Sequence, residues 1–164
     1  MKGIVIYKSK YGSTKQYAQW LAEDTGFDLY PLTACPKHLD GFDVIILAGS
    51  IHAGFVSIRE YAAENWPSIK DKKVLVILTS GASNREVIRK VVEDSFPSNI
   101  LNSVKVFPVG GRYVFNRMSF IDRNIIKMVG FFSKHQETKE GMLTEKDDVK
   151  RENLREVLDY LNIR

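Results

Sequence analysis

The sequence predicts an α/β domain built on a doubly wound parallel sheet. Three runs are short, nearly continuous in apolar character and rich in β-branched residues: Gly3–Tyr7, residues 43–49 and residues 73–79. Strands of this kind are typical of a parallel sheet that helices cover on both faces. Amphipathic segments alternate with these runs, which favours right-handed strand–helix–strand crossovers.

The remaining elements follow the same alternation. Residues 27–32 and 104–109 are the expected second and fifth strands. Helices are predicted over 14–25, 58–65, 86–95 and 154–161. Gly26 is a natural C-cap for the first helix, and Ser83 or Asn84 is a natural N-cap for the third. A chain of 164 residues lies within the single-domain range, so one domain over residues 1–164 is expected.

Composition restricts the classes of function. No apolar run reaches the roughly 20 residues that span a bilayer, and the start lacks a signal-peptide layout, so a cytoplasmic protein is expected. A single cysteine, Cys35, excludes an internal disulfide and a CxxC redox pair. Redox chemistry would therefore need a bound organic cofactor. The net charge is +4, but Lys and Arg are dispersed and no zinc-finger or RRM signature occurs. Neither a nucleic-acid partner nor a metal site is expected.

The loop after the first strand combines glycine with hydroxyl side chains at the start of a helix. Gly12 permits a tight turn, and backbone N–H groups at a helix start can converge on a phosphate. The candidate phosphate-binding residues are Ser9, Lys10, Tyr11, Gly12, Ser13 and Thr14. Neither GxxxxGK[ST] nor G-x-G-x-x-G occurs here, which argues against a P-loop and a dinucleotide fingerprint. A hydroxyl-rich N-cap without a ligand remains the alternative.

Two more loops of small and hydroxylated residues follow the third and fourth strands, at the edge where ligands bind in such sheets. Their candidate cofactor-binding residues are Ser50, Ile51, His52, Ala53 and Gly54 in one loop and Ser80, Gly81, Ala82 and Ser83 in the other. The third strand ends without the acidic residue that a receiver domain needs. His52 is the candidate catalytic residue because its ordinary pKa lies near neutrality, with a loop-shaping role as the alternative.

These loops resemble the flavodoxin family. Its phosphate loop has the form [ST]-x-T-G-x-T, which Ser9, Gly12, Ser13 and Thr14 match, whereas Tyr11 replaces the usual Thr. The resemblance implies a flavodoxin-like three-layer α/β sandwich with a five-stranded parallel sheet in the order 2-1-3-4-5. It also implies one non-covalent FMN, with loop 49–55 near flavin N5 and loop 79–84 at the pyrimidine edge.

Other segments are similar to the menaquinone-dependent protoporphyrinogen dehydrogenase branch of that superfamily. They are the G-S-x-H-A-G form of residues 49–54 and an insertion after strand five that contains GGRY at 110–113 and FIDR at 120–123. This resemblance implies oxidation of protoporphyrinogen IX, or a similar flat substrate, with a quinone as electron acceptor. Arg112 and Tyr113 become candidate substrate contacts. Arg112 would pair with a propionate of the tetrapyrrole. The alternative for Arg112 is an exposed cation.

Charge and loop composition favour an enzyme over an electron carrier. Carrier flavodoxins resemble one another in being acidic, whereas this chain is basic. Carriers also commonly shield the flavin with an aromatic residue in the third loop, where Gly81 and Ala82 cannot stack. An electron-transfer flavodoxin that docks on a redox protein, an NAD(P)H:quinone reductase and a binding module without cofactor remain alternatives.

The insertion is expected to form an amphipathic helix from residue 121. Its apolar face would carry Ile121, Ile125, Met128, Val129 and Phe132, and its basic face Arg123, Lys127 and Lys134. Surface helices normally bury such a stripe, so packing on the domain is favoured for this face. Peripheral membrane contact through residues 112–134 is the alternative.

Overall fold

The computed structural model describes residues 1–82, 84–113, 118–132 and 145–163. Its strands are β1 (Gly3–Tyr7), β2 (Asp28–Pro31), β3 (Val44–His52), β4 (Phe55–Val56), β5 (Lys73–Ser80), β6 (Lys105–Gly110), β7 (Arg112–Tyr113) and β8 (Lys146–Asp147). Its helices are α1 (Ser13–Thr25), α2 (Arg59–Ile69), α3 (Arg85–Ser95), α4 (Ser98–Leu101), α5 (Phe120–Phe132) and α6 (Arg155–Leu161). Short 3-10 turns cover Leu32–Ala34 and Arg151–Leu154.

Within the described residues, five parallel strands form the central sheet in the order β2-β1-β3-β5-β6. This order confirms the predicted 2-1-3-4-5, because β5 and β6 are the predicted fourth and fifth strands. The short strand β4 pairs antiparallel with the end of β3, and β7 pairs antiparallel with β8 beyond the sheet.

Alternate side chains of each strand enter two cores on opposite faces of the sheet, as the pleat requires. In β1, Ile4 and Ile6 join the core beneath α2 and α3, whereas Val5 joins the core beneath α1 and α6. Burial of each such side chain contributes about 1.5–3 kcal/mol. The result is the predicted three-layer sandwich, which leaves the carboxyl ends of the strands as the open edge of the sheet.

Strand β3 is longer than predicted. The sequence indicates a loop from Gly49 onward, but the strand continues to His52 and turns back into β4. The turn consists of Ala53 and Gly54, with φ of 49° and 79°. Two central residues with positive φ suit the twist of a two-residue hairpin. His52 therefore lies on a strand, where ladder pairing with Phe55 positions it.

Helix α2 also extends past its predicted end at Asn65. It continues through Pro67 to Ile69, although an interior proline removes a helical hydrogen bond at a cost of about 3 kcal/mol. Trp66 and Ile69 are both buried in the core. Burial of these two large side chains offsets the missing hydrogen bond.

The insertion forms α5 as predicted, but two residues of the expected apolar face are exposed. Ile121 is 69% exposed and Met128 is 55% exposed, whereas Asp122 is only 5% exposed. The expectation that this face packs on the domain is therefore wrong for Ile121 and Met128. The helix instead directs Asp122 toward the domain, where the carboxylate contacts Lys10, Tyr11 and His52. The side chains of Val129 and Phe132, and all of Lys134, lie outside the described residues.

Tyr17 of α1 joins the first helix to the end of the chain. Its hydroxyl donates to the carbonyl oxygens of Gly110 (2.9 Å) and Asp148 (3.2 Å). The same hydroxyl accepts from the Lys150 N–H (3.2 Å) and from Asn153 Nδ2 (2.7 Å). Burial raises the pKa of Tyr17, so the phenol stays neutral. A single buried hydroxyl thus holds α1 beside β6 and the segment that precedes α6.

We expect Tyr17→Phe to lower the free energy of unfolding by about 1–3 kcal/mol, because it leaves buried polar groups without a partner. Urea unfolding followed by circular dichroism measures the change. Tyr160→Phe is the matched control, since Tyr160 is exposed, and should change stability by less than about 0.5 kcal/mol. Equal stability of Tyr17→Phe and wild type would contradict this role.

Candidate functional site

Four segments meet around a cavity of about 70 Å³ at the carboxyl edge of the sheet. They are the loop between β1 and α1, the end of β3, the end of β5 and the segment from Gly111 into α5. We call this cavity the cofactor cavity because the loops predicted to bind a cofactor line it, with ten predicted site residues: Ser9, Lys10, Tyr11, Ser13, Thr14, Ser50, Ile51, His52, Gly81 and Arg112. Four lining residues were not predicted: Thr79, Gly111, Met118 and Asp122.

The other predicted residues occupy supporting positions or lie outside the described structure. Gly12 forms the turn before α1, and Ala53 and Gly54 form the hairpin turn. The Ser80 hydroxyl accepts a hydrogen bond from the Ala82 N–H at 3.0 Å, which shapes the loop after β5. Ser83 and the side chain of Tyr113 are outside the described residues.

The loop before α1 presents hydrogen-bond donors to the cavity. Gly12 has φ +92° and is the N-cap of a 13-residue helix that carries no side-chain cap. Its own N–H donates to Ser9 Oγ at 3.1 Å, and its carbonyl accepts from the Gln16 N–H at 2.9 Å. The first N–H groups of a helix have no intrahelical partner, and the helix dipole makes that end positive. The loop is therefore suited to an anion.

Thr14 is oriented differently from the expectation for a phosphate ligand. Its hydroxyl lies 2.9 Å from that of Thr79, and both side chains are buried. The Thr79 hydroxyl in turn donates to the Gly49 carbonyl at 3.3 Å. These bonds tie the first turn of α1 to the ends of β5 and β3. The assignment of Thr14 to the phosphate stays a prediction.

Asp122 is the main residue that sequence reasoning missed. Its carboxylate lies 2.5 Å from Lys10 Nζ and 3.4 Å from His52 Nε2, and it accepts a hydrogen bond from the Tyr11 hydroxyl. It therefore links the insertion to both the loop before α1 and the β3–β4 hairpin. The sequence shows an acidic residue in the first turn of a helix, but its partners lie as many as 112 positions away.

The electrostatics of this cluster keep Asp122 ionised. Burial by itself raises the pKa of the carboxyl, but the hydrogen bonds from Lys10 and Tyr11 and the nearby charges of His52 and Lys10 outweigh it and lower the pKa to about 2. The hydrogen bond to Asp122 also raises the pKa of Lys10. Lys10 and Asp122 are therefore both charged over the whole physiological range.

Tyr11 stands where the phosphate loop described above usually has Thr, and its contacts explain this difference. Its hydroxyl, besides donating to Asp122, accepts from the Ser119 N–H at 3.2 Å. Ser119 Oγ accepts from the Asp122 N–H at 3.2 Å and caps the start of α5. A threonine is too short to reach these groups. Tyr11 therefore serves as the contact between the loop and the insertion.

Arg112 lines the cavity, but it is not an exposed, uncompensated cation. Its Nε donates to Asp147 Oδ2 at 2.7 Å, in the antiparallel pair of β7 and β8. Gly110 and Gly111 precede it where the backbone passes close to Asp148 and Ser80, leaving no room for a Cβ. Arg112 is partly exposed and paired with Asp147, and a contact with a propionate stays a prediction.

No group of three His, Cys, Asp or Glu side chains in the described part of the chain is arranged to hold a metal ion. Among those same residues, no helix combines the length and the apolar character required to cross a bilayer.

We expect Asp122→Asn to destabilise the protein on the order of 1 kcal/mol near pH 7, a value discounted because water screens the half-exposed Lys10. The folded pKa is lowered, so the stabilisation is complete above the unfolded pKa near 4 and is lost as pH falls toward 2. The difference in unfolding free energy between wild type and variant should therefore shrink between pH 5 and pH 2. A constant difference over that range would contradict the assignment.

Comparison with known proteins agrees with this architecture. The family model of the flavodoxin domain matches residues 4–140. A crystal structure of a candidate flavoprotein from Bacteroides eggerthii is similar, with a TM-score of 0.52, 16% sequence identity and 99% coverage of both chains. A flavoprotein in complex with FMN from Lactobacillus acidophilus has a TM-score of 0.48 and 13% identity, covering 67% of this chain and 92% of that one.

No curated protein sequence matches the chain. The family model spans most of the chain, including all five parallel strands and the three loops at their carboxyl ends. Its match extends through α5, so the insertion lies within the matched region. The chain belongs to the flavodoxin domain family.

Proposed function

We propose that this chain is an FMN-dependent oxidoreductase that takes electrons from a flat substrate and passes them to a quinone or another acceptor. Family membership makes FMN the cofactor, as the sequence predicted. Protoporphyrinogen IX is the leading substrate because residues 49–54 and 110–123 resemble the protoporphyrinogen dehydrogenase branch. The observation that carries an enzymatic role is the contact of Asp122 in α5 with Lys10 and His52, which places an added helix at the cofactor cavity.

The donor groups at the cavity fit FMN. Ser9, Ser13 and the first N–H groups of α1 would hold the phosphate, and the space that a Cβ at Gly12 would take is open. Residues 50–52 and Gly81 would flank the ring system. The cavity of about 70 Å³, which Lys10 and Asp122 help to line, is below the roughly 300–1,000 Å³ typical of ligand sites. Lys10 is 53% exposed and can turn outward.

When bound, FMN supplies the redox chemistry. The chain would position the FMN and transfer protons to and from the substrate. His52 is the side chain proposed to exchange a proton with the substrate. The Asp122 carboxylate, 3.4 Å from Nε2, would stabilise an imidazolium formed in that exchange. Pairing of His52 with Phe55 in the hairpin fixes the backbone from which the imidazole projects.

An absorbance spectrum of the purified protein tests the cofactor, and anaerobic titrations test the substrate. Flavin bands that bleach with protoporphyrinogen IX and return with a quinone would support the proposal. Bleaching by NADPH alone would favour the NAD(P)H:quinone reductase. Reduction only by a ferredoxin-type partner would favour the electron carrier. A protein that stays colourless with added FMN would contradict all three.

Contact with an anionic membrane is a second proposal, and it concerns localisation. Phe120 and Ile121 are exposed beside Arg123, whose guanidinium lies 5.9 Å from the Phe120 ring centre. Apolar side chains next to a cation suit an interface helix. We expect Ile121→Asp with Met128→Asp to reduce co-sedimentation with anionic vesicles, without change in FMN content. Equal sedimentation of this double variant and wild type would contradict the proposal.

Gly12→Val tests the phosphate loop. A β-branched residue is strained at φ +92°, and a left-handed conformation costs about 1–2 kcal/mol or more for a residue with a side chain. We therefore expect FMN affinity to fall at least about tenfold, measured by fluorescence titration of the apoprotein. Gly41→Val is the matched control, since a Cβ at exposed Gly41 meets open space and no positive φ is required. Unchanged affinity of Gly12→Val would contradict the assignment.

A further inference from the structure

A second, larger cavity adjoins the cofactor cavity. Its volume is about 510 Å³, within the roughly 300–1,000 Å³ typical of small-molecule sites. We call it the hairpin pocket; its chemically distinctive lining residues are Lys8, Lys10, His52, Phe55, Arg59 and Glu60. It shares Ser9, Lys10, Ser50 and His52 with the cofactor cavity. A molecule in the hairpin pocket would therefore lie beside the cofactor. A substrate must lie there in order to exchange electrons with a flavin.

The charge of the hairpin pocket is positive. Lys8, Lys10 and Arg59 contribute three cations, against one lining carboxylate, Glu60. Glu60 is mostly exposed, and its only contact with Arg59 is long, at 3.4 Å. The charge of Lys10 is compensated by Asp122, which lines the cofactor cavity. Lys8 makes no ion pair with any residue that the structure describes. An anion would thus find two cations with little competition.

An aromatic side chain completes the lining. Phe55 is 51% exposed, and the Arg59 guanidinium lies over its ring at 4.4 Å from the ring centre. The backbone beneath it is well anchored, because the neighbouring Val56 is fully buried and its N–H donates to Ser95 Oγ at 3.1 Å. Together with the tight turn at Ala53 and Gly54, these contacts hold Phe55 at the pocket mouth. The exposed part of Phe55 offers an aromatic surface against which a ring of a bound molecule would pack.

We propose that the hairpin pocket binds an anionic ring compound next to the cofactor, with Phe55 against one of its aromatic rings and Lys8 and Arg59 against the acidic groups. The inference rests on the proposed function, since it names the substrate class of the same site. The acidic groups are the carboxylates of a ring substrate or the phosphates of a dinucleotide. A neutral quinone carries no acidic group that would pair with Lys8 or Arg59.

The test uses the FMN-loaded protein with two probes, the anion anthraquinone-2-sulfonate and the neutral menadione. We expect the double variant Lys8→Gln/Arg59→Gln to weaken binding of the sulfonate by at least about tenfold and to leave menadione binding unchanged. The control Arg89→Gln/Lys90→Gln removes two exposed cations of α3 and should change neither. Phe55→Ala should weaken the binding of both probes, and added salt should weaken the binding of the sulfonate only.

A dicarboxylate porphyrin and NADPH then compete with the sulfonate. Displacement by the porphyrin assigns the pocket to a carboxylated ring, and displacement by NADPH assigns it to a dinucleotide; displacement by neither would overturn the inference. Equal affinity of wild type and the Lys8/Arg59 variant for the sulfonate would also overturn it. So would loss of FMN from that variant, which would make these cations part of the cofactor site. Failure of the proposed function is a separate result, because it is read from the absorbance spectrum and the anaerobic titrations of wild type and not from the affinity of the hairpin pocket for the two probes.

Discussion

The site depends on one electrostatic constraint: a buried carboxylate needs partners that compensate its charge. Asp122 finds these partners in Lys10 and Tyr11 of the loop before α1 and in His52 of the β3–β4 hairpin. Each contact alone would contribute little at a surface, but here three segments meet at one carboxylate that is almost fully enclosed. The insertion is thereby joined to the residues that line the cavity at the edge of the sheet.

The orientation of α5 follows from that constraint. A helix that directs Asp122 inward must direct Ile121 and Met128 outward, because these residues lie roughly 100–120° away around the helix axis. Exposure of apolar surface is unfavourable, yet an unpaired buried charge would cost more. The polar contact therefore decides which face of the helix meets the domain.

The rigid parts of the site come from the sheet. The hydroxyls of Thr14 and Thr79 join α1 to β5, and the Tyr17 hydroxyl joins α1 to the chain on both sides of the insertion. These buried bonds fix the loop before α1, and the β3–β4 hairpin fixes His52 and Phe55. The cofactor cavity and the hairpin pocket thus share walls whose backbone is set by regular secondary structure.

The layers and the three loops could be predicted from the sequence, because alternation of apolar strands and amphipathic helices is a local signal, and the strand order followed from the resemblance of those loops to the flavodoxin family. Nine of the ten predicted residues that line the cofactor cavity were found because the carboxyl ends of parallel strands share one edge, and Arg112 came from the resemblance of the insertion. Three features emerge only in the folded chain: the partner of Tyr11, the pairing of Arg112 with Asp147 and the burial of Asp122. These contacts join residues 35 to 112 positions apart, and their energies depend on distance and solvent exclusion, which exist only in the folded chain.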